Sequence, residues 1–227
     1  MKSGYNWAKG ICRRVSIQTI FFDLDETIYP ATSGVWPAIS RRIESFLSEV
    51  MHFPEDQITE VRTYLYHTYG TTLRGLQVEH HVDTLHYLAY VHDIPLEDYL
   101  RPDPALRETL LGLTQRRVIF TNADRAHAGR VIQAVGLEGC FEQIIDILDI
   151  MPYCKPQPEA FEIALRLARN PDPRECAVVD DSPANLQTAH ALGMKTIGVA
   201  GRFPSDDRDA VIEKLADLPV ALAGLEG

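Results

Sequence analysis

The apolar positions of the chain change their period twice. Residues 16–23 form one apolar and aromatic run that ends in acids, which predicts a short buried strand. From residue 34 the period becomes helical: Val35, Ile39, Ile43, Phe46, Leu47 and Val50 form one stripe of GVWPAISRRIESFLSEVMH. Pro54 opens a second helical segment, PEDQITEVRTYLYHTYG, with Gly70 placed as its C-cap. TTLRG reads as a loop, and LQVEHHVDTLHYLAYVHD as a third helix. After a Pro-started helix in RPDPALRETLLGL, strands and helices alternate. RRVIFT, FEQIID, ECAVVD and MKTIGVAG read as strands, and HAGRVIQAVGL, PEAFEIALRLA and PANLQTAHALG as helices. This alternation predicts an α/β fold with a doubly wound, mostly parallel, Rossmann-like sheet. The first strand belongs to that sheet, and the helical block is an insertion placed like a lid. The expected division is a leader at residues 1–14, partly disordered, a core from 15–30 and 101–227, and a helical domain at 31–100.

Composition narrows the partners. The chain has 227 residues, 45% of them hydrophobic, so it can bury a globular core. Its net charge of −10 repels a polyphosphate strand and argues against a nucleic-acid polymer, though not against a small anion in a local pocket. Cys12, Cys140, Cys154 and Cys176 form no CxxC pair and read as free thiols of a reducing compartment. The N-terminal MKSGYNWAKGICRRV lacks the apolar core of a secretory signal, and no apolar run reaches transmembrane length. The expectation is a cytoplasmic protein away from membranes.

The chemistry lies at the strand ends, where sheets of this kind bind ligands. Asp23 and Asp25 end the first strand, Thr121 and Asn122 the second, and Asp180 and Asp181 the strand ECAVVD. Lys155 precedes a helix on the same edge. Buried carboxylates are costly and raise each other's pKa, so such a cluster calls for a cation. Asp23 and Asp181, helped by Asp180, can share one divalent ion, and hard oxygen donors without His or Cys suit Mg²⁺. Asp23 is then placed to attack a phosphoryl group and form an aspartyl-phosphate, and Asp25 to exchange the proton of the leaving alkoxide. Thr121 and Lys155 would hold the phosphoryl oxygens. The ligand this implies is a small phosphate monoester. In the helical block, Thr71, Thr72, Arg74 and Gly75 are placed to dip toward the core and meet a polar planar group or a second anion.

Blander roles compete. Asn122 can cap the following helix as well as face substrate. His127 reads as a packing or surface residue, while Tyr29 lies closer to the chemistry. His80 and His81 point to different sides of a helix, and Cys154 has no evident base.

DLDET, FTNAD, CKPQP and VVDDSPAN resemble the four motifs of the haloacid dehalogenase superfamily, in order and at the expected strand ends. The resemblance implies Asp23 as nucleophile, Asp25 as acid/base, and Mg²⁺ held by the Asp23 carboxylate, the Asp25 backbone carbonyl, the Asp181 carboxylate and, through water, Asp180. It also implies that the insertion is a type 1 cap. Superfamily dehalogenases lack the second acid, so Asp25 favours a phosphate ester. FFDLDETIYP, YGTTLRGL, FTNADRAHAGRV and IIDI with CKPQPEAF further resemble the pyrimidine 5'-nucleotidase group. That implies a UMP- or CMP-like substrate, with Thr121, Asn122 and Ala123 of FTNAD at the phosphate. The alternatives are a phosphatase for a small sugar phosphate or phosphoglycolate, and a phosphate-binding protein without turnover.

Overall fold

The computed structural model describes residues 16–169, 171–199 and 208–225. The expectation for the leader, and Cys12 with it, lies outside these residues. The chain starts with β1 (Thr19–Phe22) and then leaves the sheet for α1 (Val35–Ser45), α2 (Ile58–Tyr69), α3 (Thr72–His80), α4 (Thr84–Val91) and α5 (Leu96–Tyr99). It returns through α6 (Pro104–Leu111) to β2 (Arg116–Phe120), α7 (Arg125–Ala134) and β3 (Gln143–Ile145). There follow α8 (Ile147–Ile150), α9 (Pro158–Leu167), β4 (Cys176–Asp180), α10 (Pro183–Ala191), β5 (Lys195–Val199), β6 (Ala210–Ile212) and α11 (Leu218–Leu225).

The strands form one parallel sheet in the order β3-β2-β1-β4-β5-β6. The order reverses direction at β1, so a crevice opens between the loops after β1 and β4. Every residue of β1 and of β4 is buried, as expected for central strands covered on both faces. Phe21 meets Phe120 edge-on at 6.3 Å, and Phe120 meets Phe161 at 5.1 Å. Burying each such ring contributes roughly 1.5–3 kcal/mol.

The helical block differs from the sequence reading chiefly after Gly70. The segment read as a single third helix is two, α3 and α4, broken at His81, whose φ is +53°. TTLRG, read as a loop, is the first turn of α3. Thr71 is its N-cap and accepts the Arg74 N–H at 3.0 Å, and Asp83 caps α4 through the His86 N–H at 2.8 Å. Both caps satisfy donors that the apolar stripe alone ignores. Gly75 lets α3 cross α2 closely: a Cβ there would lie 2.5 Å from Leu65 Cδ2. The four-residue α5 and α8 and the three-residue β6 are too short to show a period, and α11 is apolar on most sides. Among the described residues no helix is long and apolar enough to cross a membrane.

Candidate active site

Strand register gathers the acids. Phe22 pairs with Val179, and the Asp23 N–H donates to the Val179 carbonyl at 2.9 Å, so Asp23 leaves β1 beside Asp180. Lys155, in the loop before α9, reaches both: Nζ donates to Asp23 Oδ1 at 2.7 Å and to Asp180 Oδ2 at 2.9 Å. Asn122 clamps that loop from the end of β2. Its Nδ2 donates to the Lys155 carbonyl and its Oδ1 accepts the Lys155 N–H, both at 2.9 Å. Asp180 is fixed in turn by the Ser182 N–H at 2.8 Å and by Asn185 Nδ2 at 2.9 and 3.0 Å. Thr121 is buried, and its Oγ1 accepts the Ala123 N–H at 2.9 Å.

Carboxylate oxygens of Asp23, Asp180 and Asp181 lie within 4.8 Å of one another. Burial pushes Asp23 well above the usual carboxylate range; Lys155 pulls it back, and Asp180, Asp181 and Asp25 raise it further. Burial and then Asp180 lift Asp181 to about 7. Burial alone would lower Lys155, but Asp180 and Asp23 outweigh it and keep the ammonium charged. One ammonium among these acids leaves a negative excess. All-oxygen donors at this spacing fit a hard divalent cation such as Mg²⁺.

Asp25 faces another way. The Ile28 N–H donates to the Leu24 carbonyl at 2.9 Å, closing a turn that brings Tyr29 over Asp25. The Tyr29 hydroxyl donates to Asp25 Oδ1 at 2.5 Å, and His127 Nε2 lies 3.2 Å from the same oxygen. Burial would raise the Asp25 carboxyl; the His127 hydrogen bond and charge, then Tyr29, outweigh it and hold it below its ordinary value.

Most of these groups open on one cavity of about 650 Å³; Tyr29 and His127 do not line it. Asp23, Asp25, Thr121, Asn122, Ala123, Lys155 and Asp181 line its sheet end, while Asp180 sits buried just behind it. Thr71 and Thr72 line it from the helical block, with the Thr71 hydroxyl committed to capping α3. Arg74 and Gly75 do not line it. Arg74 borders a separate void of about 10 Å³ beside Cys154, and Gly75 is taken up by the contact of α3 with Leu65. The arginine that does line the cavity is Arg62 on α2, whose Nη1 donates to Glu44 Oε1 at 2.6 Å and Ser40 Oγ at 2.8 Å. Nothing in the helical stripe singles Arg62 out, because its place depends on how α1 and α2 pack. His127, read as a packing or surface residue, is buried and also touches Asp25, and Asn185, inside VVDDSPAN, holds Asp180. The Asp124–His127 spacing is an N-cap signature, which could have located the turn but not its contact with Asp25.

A strand-end cluster of this kind on a parallel sheet with an inserted helical block defines a class of hydrolases. Residues 17–193 match the family described as haloacid dehalogenase-like hydrolase, and the chain belongs to it, with a cap-containing fold. It is similar to Phosphate metabolism protein 8 of Saccharomyces cerevisiae, 28% identical over 191 residues, covering 78% of this chain and 60% of the yeast protein. It is also 28% identical over 193 residues to the glyceraldehyde 3-phosphate phosphatase of Pyrococcus furiosus, covering 80% of each. In fold it resembles the HAD-hydrolase YfnB of Bacillus subtilis, solved bound to magnesium, with a TM-score of 0.59, 17% identity, and 91% and 99% of the two chains covered.

Proposed function

We propose that this hydrolase is a phosphomonoesterase and that Asp23 is its nucleophile. Attack by Asp23 on phosphorus forms an aspartyl-phosphate as the P–O ester bond breaks, and Asp25 gives its proton to the departing alkoxide. The incoming phosphate dianion raises the Asp25 carboxyl toward the protonated form this step needs. Water then attacks phosphorus, Asp25 takes back a proton, and inorganic phosphate leaves with Asp23 restored. Lys155 holds phosphoryl oxygens as a point charge, and the hydroxyl of Thr121 and the backbone around Ala123 orient them. Asp23 and Asp181, the Asp25 backbone carbonyl and, through water, Asp180 would hold Mg²⁺, which when bound supplies charge neutralisation of the phosphoryl group.

The observation that carries this reading is the pair Asp23 and Asp25 on one cavity. A departing halide needs no proton, whereas a departing alkoxide does, and a second acid two residues on supplies it. The phosphatase name of the Pyrococcus relative supports the same class.

The substrate we propose is a nucleoside 5'-monophosphate, pyrimidine by preference. The cavity is of a size that takes a drug-sized ligand. Its far end offers Arg62, Thr59 and Thr63 for polar edges, and Ile39, Ile43 and Leu88 for a flat ring. Residues 31–100 form the cap, which closes on hinges near 30–34 and 100–104 and sheds water during transfer. The free thiols Cys140, Cys154 and Cys176 support a reducing, cytoplasmic setting. A second reading, a three-carbon sugar phosphate, is favoured by the Pyrococcus name.

The test is phosphate release from UMP, CMP, AMP, GMP, phosphoglycolate and glyceraldehyde 3-phosphate, with and without Mg²⁺. Metal-dependent turnover concentrated on UMP and CMP is the expected result. A preference for glyceraldehyde 3-phosphate selects the second reading, and release from no ester removes the phosphatase assignment.

A further inference from the structure

Asp25 is gripped at one oxygen only. Both of its hydrogen-bond partners, the Tyr29 hydroxyl at 2.5 Å and His127 Nε2 at 3.2 Å, meet Oδ1, and among the described residues nothing donates to Oδ2. An oxygen that already accepts two donors has no room for a proton of its own, so the carboxyl proton is directed to Oδ2. His127 Nε2 carries a hydrogen in either charge state of the ring, because the atom it faces is a carboxylate oxygen. The His127 side chain is 0% exposed, and its Nδ1 is buried without a partner, so Asp25 is the one hydrogen-bond partner of the ring among the described residues. A histidine kept only to fill space would gain more as an apolar residue, since an orphaned buried nitrogen is a liability.

The ring is itself held in place. His92, just past the end of α4 in the helical block, stacks on it with centroids 4.2 Å apart and planes at 18°. His92 Nδ1 lies 2.5 Å from Asp124 Oδ2, while Asp124 Oδ1 accepts the His127 N–H at 2.9 Å. Arg130 on α7 donates to the carbonyls of His92 and Ile94, tying the same stretch to the core. The contacts thus run unbroken from the helical block to the Asp25 carboxyl.

We infer that His127 is a positioning residue for Asp25: with Tyr29 it fixes Oδ1 and leaves Oδ2 as the atom that passes the proton to the ester oxygen, and His92 braces it from the cap side. The inference rests on the phosphatase reading above. In the first step the Oδ2–H proton goes to the ester oxygen as the P–O bond breaks, and Asp25 is left as the carboxylate. A turned carboxyl would therefore harm esters that need a proton more than esters that do not.

The leaving group makes this testable. kcat/KM covers the steps through alcohol release, so it reports the proton-donating step. It would be measured for UMP, or whichever alkyl monoester of the panel is preferred, and for 4-nitrophenyl phosphate, whose phenolate leaves with little help. In His127→Leu, kcat/KM for the alkyl ester should fall about tenfold or more and that for the aryl ester less than about threefold, since a positioned acid contributes roughly 10²–10⁴. His127→Gln, which keeps a donor near Nε2, should recover part of the loss, and Tyr29→Phe should show the same asymmetry should the leucine variant fail to fold. Equal falls for the two esters, or none, in a variant whose melting curve matches wild type overturn the positioning role and leave the phosphatase reading intact. If the wild-type protein releases phosphate from neither ester, that reading falls and the proposal with it.

Discussion

At the sheet end of the cavity Asp23, Asp25 and Lys155 are held by groups that are held in turn. Lys155 bridges Asp23 and Asp180, Asn185 and Ser182 fix Asp180, and Asn122 grips the Lys155 backbone on both sides. At the helical end Arg62 has Glu44 and Ser40, and the helical block lines the rest of the cavity mostly with apolar and hydroxylic side chains. The sheet end is set by strand register, where a one-residue slip would turn every side chain over. The helical end is set by how helices pack, which tolerates volume-conserving change. On the proposed function, one end would fix the reaction and the other would set what is bound.

The sharpest way to break this comparison is at Asp23. Asp23→Asn should lower phosphate release by roughly 10⁴-fold or more, as expected if the proposed nucleophile of a concerted site is lost. A single-turnover assay that still shows full release would remove Asp23 from the chemistry.

Next come the two arginines of the helical block. Arg62→Ala should reduce kcat/KM for the preferred ester by about tenfold, mainly through KM, the size of one hydrogen bond from a charged donor. Arg74→Ala, which is off the cavity, should change it by less than about twofold. Steady-state kinetics on both variants decide, and the reverse ranking would restore the expectation drawn from YGTTLRGL.

Gly75 separates packing from binding. Gly75→Ala would place its Cβ 2.5 Å from Leu65 Cδ2, 2.8 Å from Leu65 Cβ and 3.0 Å from Tyr69. Overpacking of this kind should cost about 1–3 kcal/mol in urea unfolding. If stability were unchanged and KM rose instead, Gly75 would belong to the binding surface after all.

The smallest effect expected is in the acid limb of stability. Burial would raise Asp124, but the His92 hydrogen bond and charge and the His127 N–H outweigh it and hold it at about 2. Against an unfolded value near 3.9, this depressed carboxyl stabilises the fold fully above about pH 4 and loses that contribution as pH falls through 2. Allowing for solvent screening, about 1–2 kcal/mol is at stake. Asp124→Asn should be weaker than wild type by that amount at pH 7, and the two melting curves should converge toward pH 2. Parallel curves would show that Asp124 is not the group titrating.

The sheet end was legible in the chain because short motifs sit at strand ends and the parallel alternation says which ends meet. Asp23 and Asp181 needed only that topology, while Lys155, alone on its loop, also needed the resemblance carried by CKPQP. The helical end was not legible in the same way. α3 and α4 read as one helix because both carry apolar residues at helical spacing, and the break at His81 depends on the Asp83 cap. Arg62 and Arg74 look alike in sequence, and only the crossing of α2 with α3 at Gly75 decides which one meets the cavity. His127 looked like packing because its partner Asp25 lies on another strand end, and no local pattern announces that contact.

The position of β1 also governs the order in which the protein takes shape during synthesis. Thr19 pairs with Arg116 on one side and Cys176 on the other, so both neighbours of β1 leave the ribosome long after it does. Until then the nascent chain carries a largely apolar strand with two open edges, while the helices between them can already pack through local contacts. Asp23 is among the first described residues to be made, yet its surroundings are complete only when β4 slides in beside it. A ribosome paused before Cys176 would hold folded helices and an unfinished candidate site, a state in which early chaperone contact with β1 would matter most.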